Sequence, residues 1–167
     1  MHPGILCPVP KLEISRRVNA PTERVWAVLT DLDTAAERIS GIESVERLAG
    51  PEFGVGTRWR ETRVMFGKEA TEEMEVGSLV PGRSYTVDAA SHGAEYHSEL
   101  SVEGVGDGTS LLAMSFEATP QTFGAKLASV TIGLLFRGAT KKALIKDLDD
   151  IATAAEAPGE PEATTPS

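Results

Sequence analysis

Between residues 57 and 118 the chain reads as alternating polar and apolar segments, each closed by a glycine-containing turn. Residues 57–66 and 69–79 flank Gly67-Lys68, and Pro81-Gly82 precedes 84–91. His92-Gly93 precedes 95–102, and Gly104 to Gly108 leads into 110–118. Period-two patterning with turn signals at near-regular intervals predicts an antiparallel meander. Such a sheet has one apolar face, and that face must be covered. The C-terminal third of the chain predicts the cover. Thr119-Pro120-Gln121 breaks the alternation, and helical periodicity then runs to about Ala155. Phe123, Leu127, Val130, Leu134, Leu144, Leu148 and Ile151 fall largely on one face of that helix. Gly124, Gly133 and Gly138 weaken or bend its first half. The apolar run 127–136 is too short to span a bilayer and is bracketed by Lys126 and Arg137, so it reads as a core helix.

Ahead of the meander lies a different pattern. Residues 11–18 alternate as a strand, and Ala20-Pro21 opens a short amphipathic helix over 21–31. Pro21 suits the first helical position, and Glu23 in the first turn opposes the helix dipole. Val25, Val28, Leu29 and Leu32 share one face. Ala20, at the expected N-cap, has no side-chain oxygen to offer the first turn. Trp26 lies off the apolar stripe and reads as a packed core side chain, with a cavity mouth as the alternative. A second short helix is expected over 34–39, a strand over 42–48 and a loop over 50–56. The order is strand, two short helices, six strands, long helix.

The ends differ in composition. Residues 1–10 hold three prolines and a glycine and read as a flexible arm, and 156–167 read as a disordered acidic tail. One domain over 11–155 is expected between them. Net charge is −9; the tail holds three of the 25 acids and none of the 16 bases, so the rest carries 22 acids against 16 bases. That balance disfavours nucleic acid, because neutralising phosphates needs a basic face. Cys7 is the only cysteine, so an internal disulfide is excluded and a reducing, cytoplasmic setting is expected.

Val18-Asn19-Ala20-Pro21, with Val25-Trp26 and Asp31 after it, resembles the START-related, pollen-allergen-like superfamily. Gly54-Val55-Gly56-Thr57-Arg58-Trp59 at the entry to the third strand is similar to its bacterial polyketide cyclase/dehydrase-like (SRPBCC) branch. The resemblance covers about 12–155. It implies an α+β helix-grip fold: a seven-stranded curved antiparallel sheet around a long C-terminal helix, with two short helices between strands 1 and 2. It also implies a cavity for a lipid, polyketide or quinone-like ligand. Two alternatives accompany that function: a polyketide cyclase/dehydrase-like enzyme, and a regulatory protein-interaction module. Expected partners are a small apolar ligand and, as an open alternative, a second copy of the chain in a homodimer. No cofactor, nucleic acid or integral membrane segment is expected.

Strand alternation nominates the ligand-facing set. Tyr85 and Val87, then Tyr96, Ser98 and Leu100, then Leu112, Met114 and Phe116 should face the helix, with Leu134 opposite them. His97, Glu99 and Glu117 would face solvent. In the fourth strand Met74 carries Glu72 inward with it. The third strand is ambiguous, since Trp59, Glu61 and Arg63 oppose Arg58, Arg60, Thr62 and Val64 and neither set is cleanly apolar. If Trp59 is inward, Glu61 and Arg63 go with it and must be paired or neutralised. Glu61 or Glu72 could then act as a general base, with Tyr96 donating to a developing enolate oxygen. The alternative places Glu61 and Arg63 in a solvated cross-strand ladder. His92 reads as a solvated turn residue, and His2, His92 and His97 lack metal-site spacing. No G-x-S-x-G nucleophile or phosphate loop occurs.

Overall fold

The computed structural model describes residues 11–65, 67–91, 93–121 and 123–158, with 65 and 123–136 described by backbone alone. The expectations placed on residues 1–10 and 159–167, on Phe66 and His92, and on the side chains of Phe123, Leu127, Val130 and Leu134 lie outside the described residues.

Strand β1 (Leu12–Val18) is followed by helices α1 (Thr22–Thr30) and α2 (Ala35–Arg38). Then come β2 (Ile42–Ala49), β3 (Arg58–Met65), β4 (Lys68–Val80), β5 (Ser84–Ser91), β6 (Ala94–Gly106) and β7 (Thr109–Pro120), and finally α3 (Phe123–Glu156). The strands form one seven-stranded, wholly antiparallel sheet in the order β1-β7-β6-β5-β4-β3-β2. This is the α+β helix-grip architecture: a curved sheet, two short helices after the first strand and a long helix at the end. Among the described residues no helix is long and apolar enough to cross a membrane.

The turns explain the register. Between β6 and β7 only Asp107 and Gly108 remain unpaired, both with positive φ (47° and 70°), the conformation a two-residue hairpin of matching twist requires. The turn signals place the end of this strand at Val102; pairing instead continues across a bulge between Gly104 and Gly106. The β2–β3 loop is built around Thr57, which is buried. Its hydroxyl accepts from the Gly54 N–H at 2.9 Å and donates to the Glu52 carbonyl at 3.0 Å. Gly50 (φ 84°) passes so close that a Cβ there would lie 2.9 Å from that hydroxyl.

Helix α1 departs from expectation by one residue. Pro21 is the N-cap rather than the first helical residue: its ψ of 157° is extended, and its carbonyl accepts from the N–H groups of Arg24 and Val25. As Ala20 implied, no side chain caps this end. The helix is anchored instead by two buried hydroxyls from the sheet. Ser110 donates to the Ala20 carbonyl at 2.6 Å, and Tyr85 donates to the Leu29 carbonyl at 3.1 Å. The second satisfies a carbonyl in the last turn. Trp26 packs against the core, edge-on to Tyr85 at 5.9 Å between centroids.

The core gathers at one end of the sheet. Val25, Leu29 and Leu32 from α1 and the loop after it meet Val18, Val76, Tyr85, Val87, Leu100, Val102 and Leu112 from the strands. Leu148, Ile151, Ala152 and Ala155 of α3 complete it, spaced three and four residues apart along one stripe. Three aspartates hold the same turns of α3 to separate elements: Asp147 to Arg63 on β3, Asp149 to Arg16 on β1, and Asp150 to Ser40 ahead of β2. The helix continues to Glu156, whose carboxylate accepts from the Asn19 N–H at 2.8 Å, and Ala157 accepts from Arg24.

Leu148 is 2% exposed, so Leu148→Ala should cost about 2–5 kcal/mol in urea unfolding. Ile145→Ala, at a 42% exposed position on the same helix, should change stability by no more than about 0.5 kcal/mol.

Candidate functional site

The ambiguity of the third strand is resolved by burial. Trp59 and Glu61 are 4% and 6% exposed and face α3, whereas Arg58 and Val64 are exposed on the other side. A solvated Glu–Arg ladder does exist, but it is made by other residues. Arg60 lies 2.8 Å from Glu46 and 2.9 Å from Glu73, and Arg58 reaches Glu73 and Glu75, all on the outer face. That leaves Glu61 and Arg63 for the interior.

There the two form a buried network with Asp147. The indole N–H of Trp59 donates to Glu61 Oε2 at 3.2 Å, Arg63 Nε donates to Glu61 Oε1, and Arg63 Nη1 lies 2.8 Å from Asp147 Oδ2. One guanidinium thus serves two carboxylates. Burial lowers the basicity of Arg63, but Glu61 and Asp147 outweigh it and hold the group above its ordinary value. Burial pushes the Asp147 carboxyl up; Arg63 pulls it back only in part, while Glu61 and Asp150 add to the rise. Gly41 packs against the pair, within 3.4 Å of both side chains as measured from a notional Cβ. A cleft of about 130 Å³ opens beside it, lined by Ser40, Gly41, Val64, Ala143 and Lys146 as well as Arg63 and Asp147.

Asp147 was missed in the sequence. Its signal was an acid on the apolar stripe of a helix, between Leu144 and Leu148, where a side chain can only be buried. Phe53 was also missed; it folds back from the β2–β3 loop to pack edge-on against Tyr85 at 4.9 Å.

The remaining nominated residues fall on the inner face in ordered rows. Tyr85, Leu100 and Met114 are cross-strand neighbours, as are Val87, Ser98 and Phe116, and then Ala89 and Tyr96. Trp59 pairs with Met74, and Glu61 with Glu72. Burial divides these rows. Tyr85, Val87, Leu100 and Leu112 are buried with the core, while Glu72, Met74, Tyr96, Ser98, Met114 and Phe116 are only half-buried. Tyr96 and Phe116 stack at 5.8 Å between centroids. Burial raises the Tyr96 phenol, and the neighbouring Glu72 carboxylate raises it further. Burial and Glu61 likewise raise Tyr85, whose hydroxyl is committed to α1. Glu72 has no ion-pair partner among the described residues. His97 and Glu99 are exposed on the outer face, His97 against Asp88 at 2.6 Å, while Glu117 is half-buried.

The network generates two expected outcomes. Arg63→Met would leave two carboxylates buried without a counter-charge and should cost about 3–5 kcal/mol in urea unfolding. The sign for Asp147 is opposite to that of most ion-paired acids. Its folded pKa lies above the ordinary 3.8, so the native state binds the extra proton and stability falls as pH rises through the folded value. Asp147→Asn should remove that fall, and unfolding measured across weakly acidic pH should show a flatter profile than wild type.

Comparison with known structures places this geometry. The sheet and helices superpose on the ZhuI aromatase/cyclase from Streptomyces sp. R1128 with a TM-score of 0.76 at 18% identity, over 89% of this chain and 94% of that one. Norcoclaurine synthase from Thalictrum flavum, in complex with dopamine and hydroxybenzaldehyde, matches with a TM-score of 0.70 at 15% identity over 96% of both chains. TTHA0849 from Thermus thermophilus matches with a TM-score of 0.75 at 17% identity, over 89% of this chain and 98% of that one. At these identities the likeness is one of fold. No curated protein matches the chain by sequence. The sequence itself fits, over residues 9–156, the model of the family described as polyketide cyclase / dehydrase and lipid transport, and the chain belongs to that family.

Proposed function

We propose that this protein binds a small hydrophobic or amphipathic ligand, of lipid, polyketide or quinone-like character, on the concave face of the sheet beneath α3. The observation that carries the proposal is the uneven burial of that face. At one end α3 and α1 pack it to completion; toward the other, Met74, Met114, Phe116 and Tyr96 remain half-buried although they face the same way. Apolar side chains on a concave surface gain about 25 cal/mol for each Å² a ligand covers. Ser98 and Tyr96 supply hydrogen-bonding groups among them. The single cysteine suits a reducing compartment, and a cytoplasmic setting is part of the proposal.

Glu72 beside Tyr96 favours a second reading, that of a cyclase or dehydrase. The raised phenol stays protonated at neutral pH and can donate to a developing enolate oxygen. Glu72 is the freer of the two candidate bases, because Glu61 is held by Trp59 and Arg63.

An environment-sensitive apolar dye should bind the folded protein, and Met114→Trp should weaken it by filling space. Mass spectrometry of ligands co-purifying with the native protein should find an apolar molecule. Failure of every apolar probe to bind would overturn both readings. Glu72→Gln separates them: a binding protein should keep its ligand with modest change, whereas an enzyme using this carboxylate should lose about 10²-fold or more in turnover while binding survives.

A further inference from the structure

We infer that Glu72 sets ligand class, so that the concave face takes neutral or amine-bearing amphiphiles and rejects carboxylates and other anionic headgroups. The inference rests on the ligand-binding reading above and concerns which ligand it admits. Its ground is the balance of charge on the inner face. Among the described residues three arginines stand on strand positions of inward parity: Arg16 on β1, Arg47 on β2 and Arg63 on β3. Each is already engaged. Arg16 pairs with Asp149, and Arg47 lies 3.5 Å from Asp33 and donates to the Gly50 carbonyl at 2.9 Å. Arg63 is shared between Glu61 and Asp147. None of the three arginines is left to receive an anionic group, and Lys68, the remaining cation of inward parity on the described strands, stands exposed at the β3–β4 turn, four residues along β4 from Glu72.

Glu72 is the opposite case. It is half-buried, sits directly across from Glu61 on the neighbouring strand, and has no ion-pair partner among the described residues. Its charge reaches the Tyr96 phenol, whose proton it helps to hold. Tyr96 in turn stacks on Phe116, so carboxylate, phenol and aromatic surface lie together at the half-buried end of the face. An anionic headgroup arriving there would meet a like charge in a setting of reduced dielectric, which costs more than it would in water. An ammonium or hydroxyl would instead give the carboxylate the donor it lacks, with the aromatic pair receiving the apolar body.

The test uses decylamine, decanol and decanoate, three probes of one chain length, each titrated below its micellar concentration at neutral pH against the bound apolar dye. The amine should displace dye at a concentration about tenfold or more below the carboxylate, with the alcohol between them. Glu72→Gln should bring amine and carboxylate to within about threefold. Glu99→Gln, which removes an exposed acid from the outer face, should leave the wild-type order intact and so separates the local charge from the overall negative charge of the chain. A carboxylate that binds as tightly as the amine overturns the inference while the ligand-binding reading stands. A preference that survives in Glu72→Gln, or that falls equally in Glu99→Gln, overturns it as well. If none of the three displaces the dye or binds, the ligand-binding reading itself fails.

Discussion

The structure depends on one requirement: the inner face of a seven-stranded sheet has to be covered, and α3 is the element that covers it. A lone antiparallel sheet of this length leaves a broad apolar surface to water. Leu148, Ile151, Ala152 and Ala155 meet that requirement at the end where α1 also packs. The three aspartates on the same turns fix the helix against β1, β3 and the segment before β2. Hydrophobic contact supplies the stability; the aspartate contacts decide where along the sheet the helix lies.

That division of labour has a consequence for function. A helix seated firmly at one end need not pack to completion at the other: of the half-buried residues, Met74 and Met114 border the seat, and Tyr96 and Phe116 lie beyond it. The Glu61–Arg63–Asp147 network marks the boundary. It is a costly device for stability alone, since a buried ion pair often does no better than apolar side chains of the same size. What it adds is specificity of placement: β3 cannot turn over without leaving Asp147 buried and unpaired, and α3 cannot slide without parting Asp147 from Arg63. Helix α1 is held by a similar logic: Tyr85 donates to the Leu29 carbonyl in its last turn, and Ser110 ties the Ala20 carbonyl just ahead of its first.

Much of the fold was legible because it is written in local patterns. The glycine-punctuated meander, the Ala-Pro helix entry and the long helix all come from period and turn chemistry, and burial of Leu148 comes from its stripe. The errors were at element ends, one residue at Pro21 and four at the end of β6, where pairing across the chain carries the strand from Val102 to Gly106. Strand β3 was not legible, for a physical reason. Hydropathy assigns Glu61 and Arg63 to solvent, and only a partner far along the chain, Asp147, makes their burial tolerable. A pattern search within one strand has no access to that partner. The inward placement of Glu72 was legible from Met74 and Val76, because those neighbours alternate cleanly.

The central claim is that ligand meets the half-buried end of the concave face. The most direct measurement is an NMR titration of protein carrying ¹³C-methyl methionine with an apolar amphiphile such as decanol. There are four methionines, and Met74 and Met114 both belong to the inner face while Met1 precedes the domain. The account predicts that the Met74 and Met114 methyl signals shift together with one apparent affinity and that the Met1 signal stays in place. Saturating ligand that leaves the Met74 and Met114 signals unmoved would contradict it.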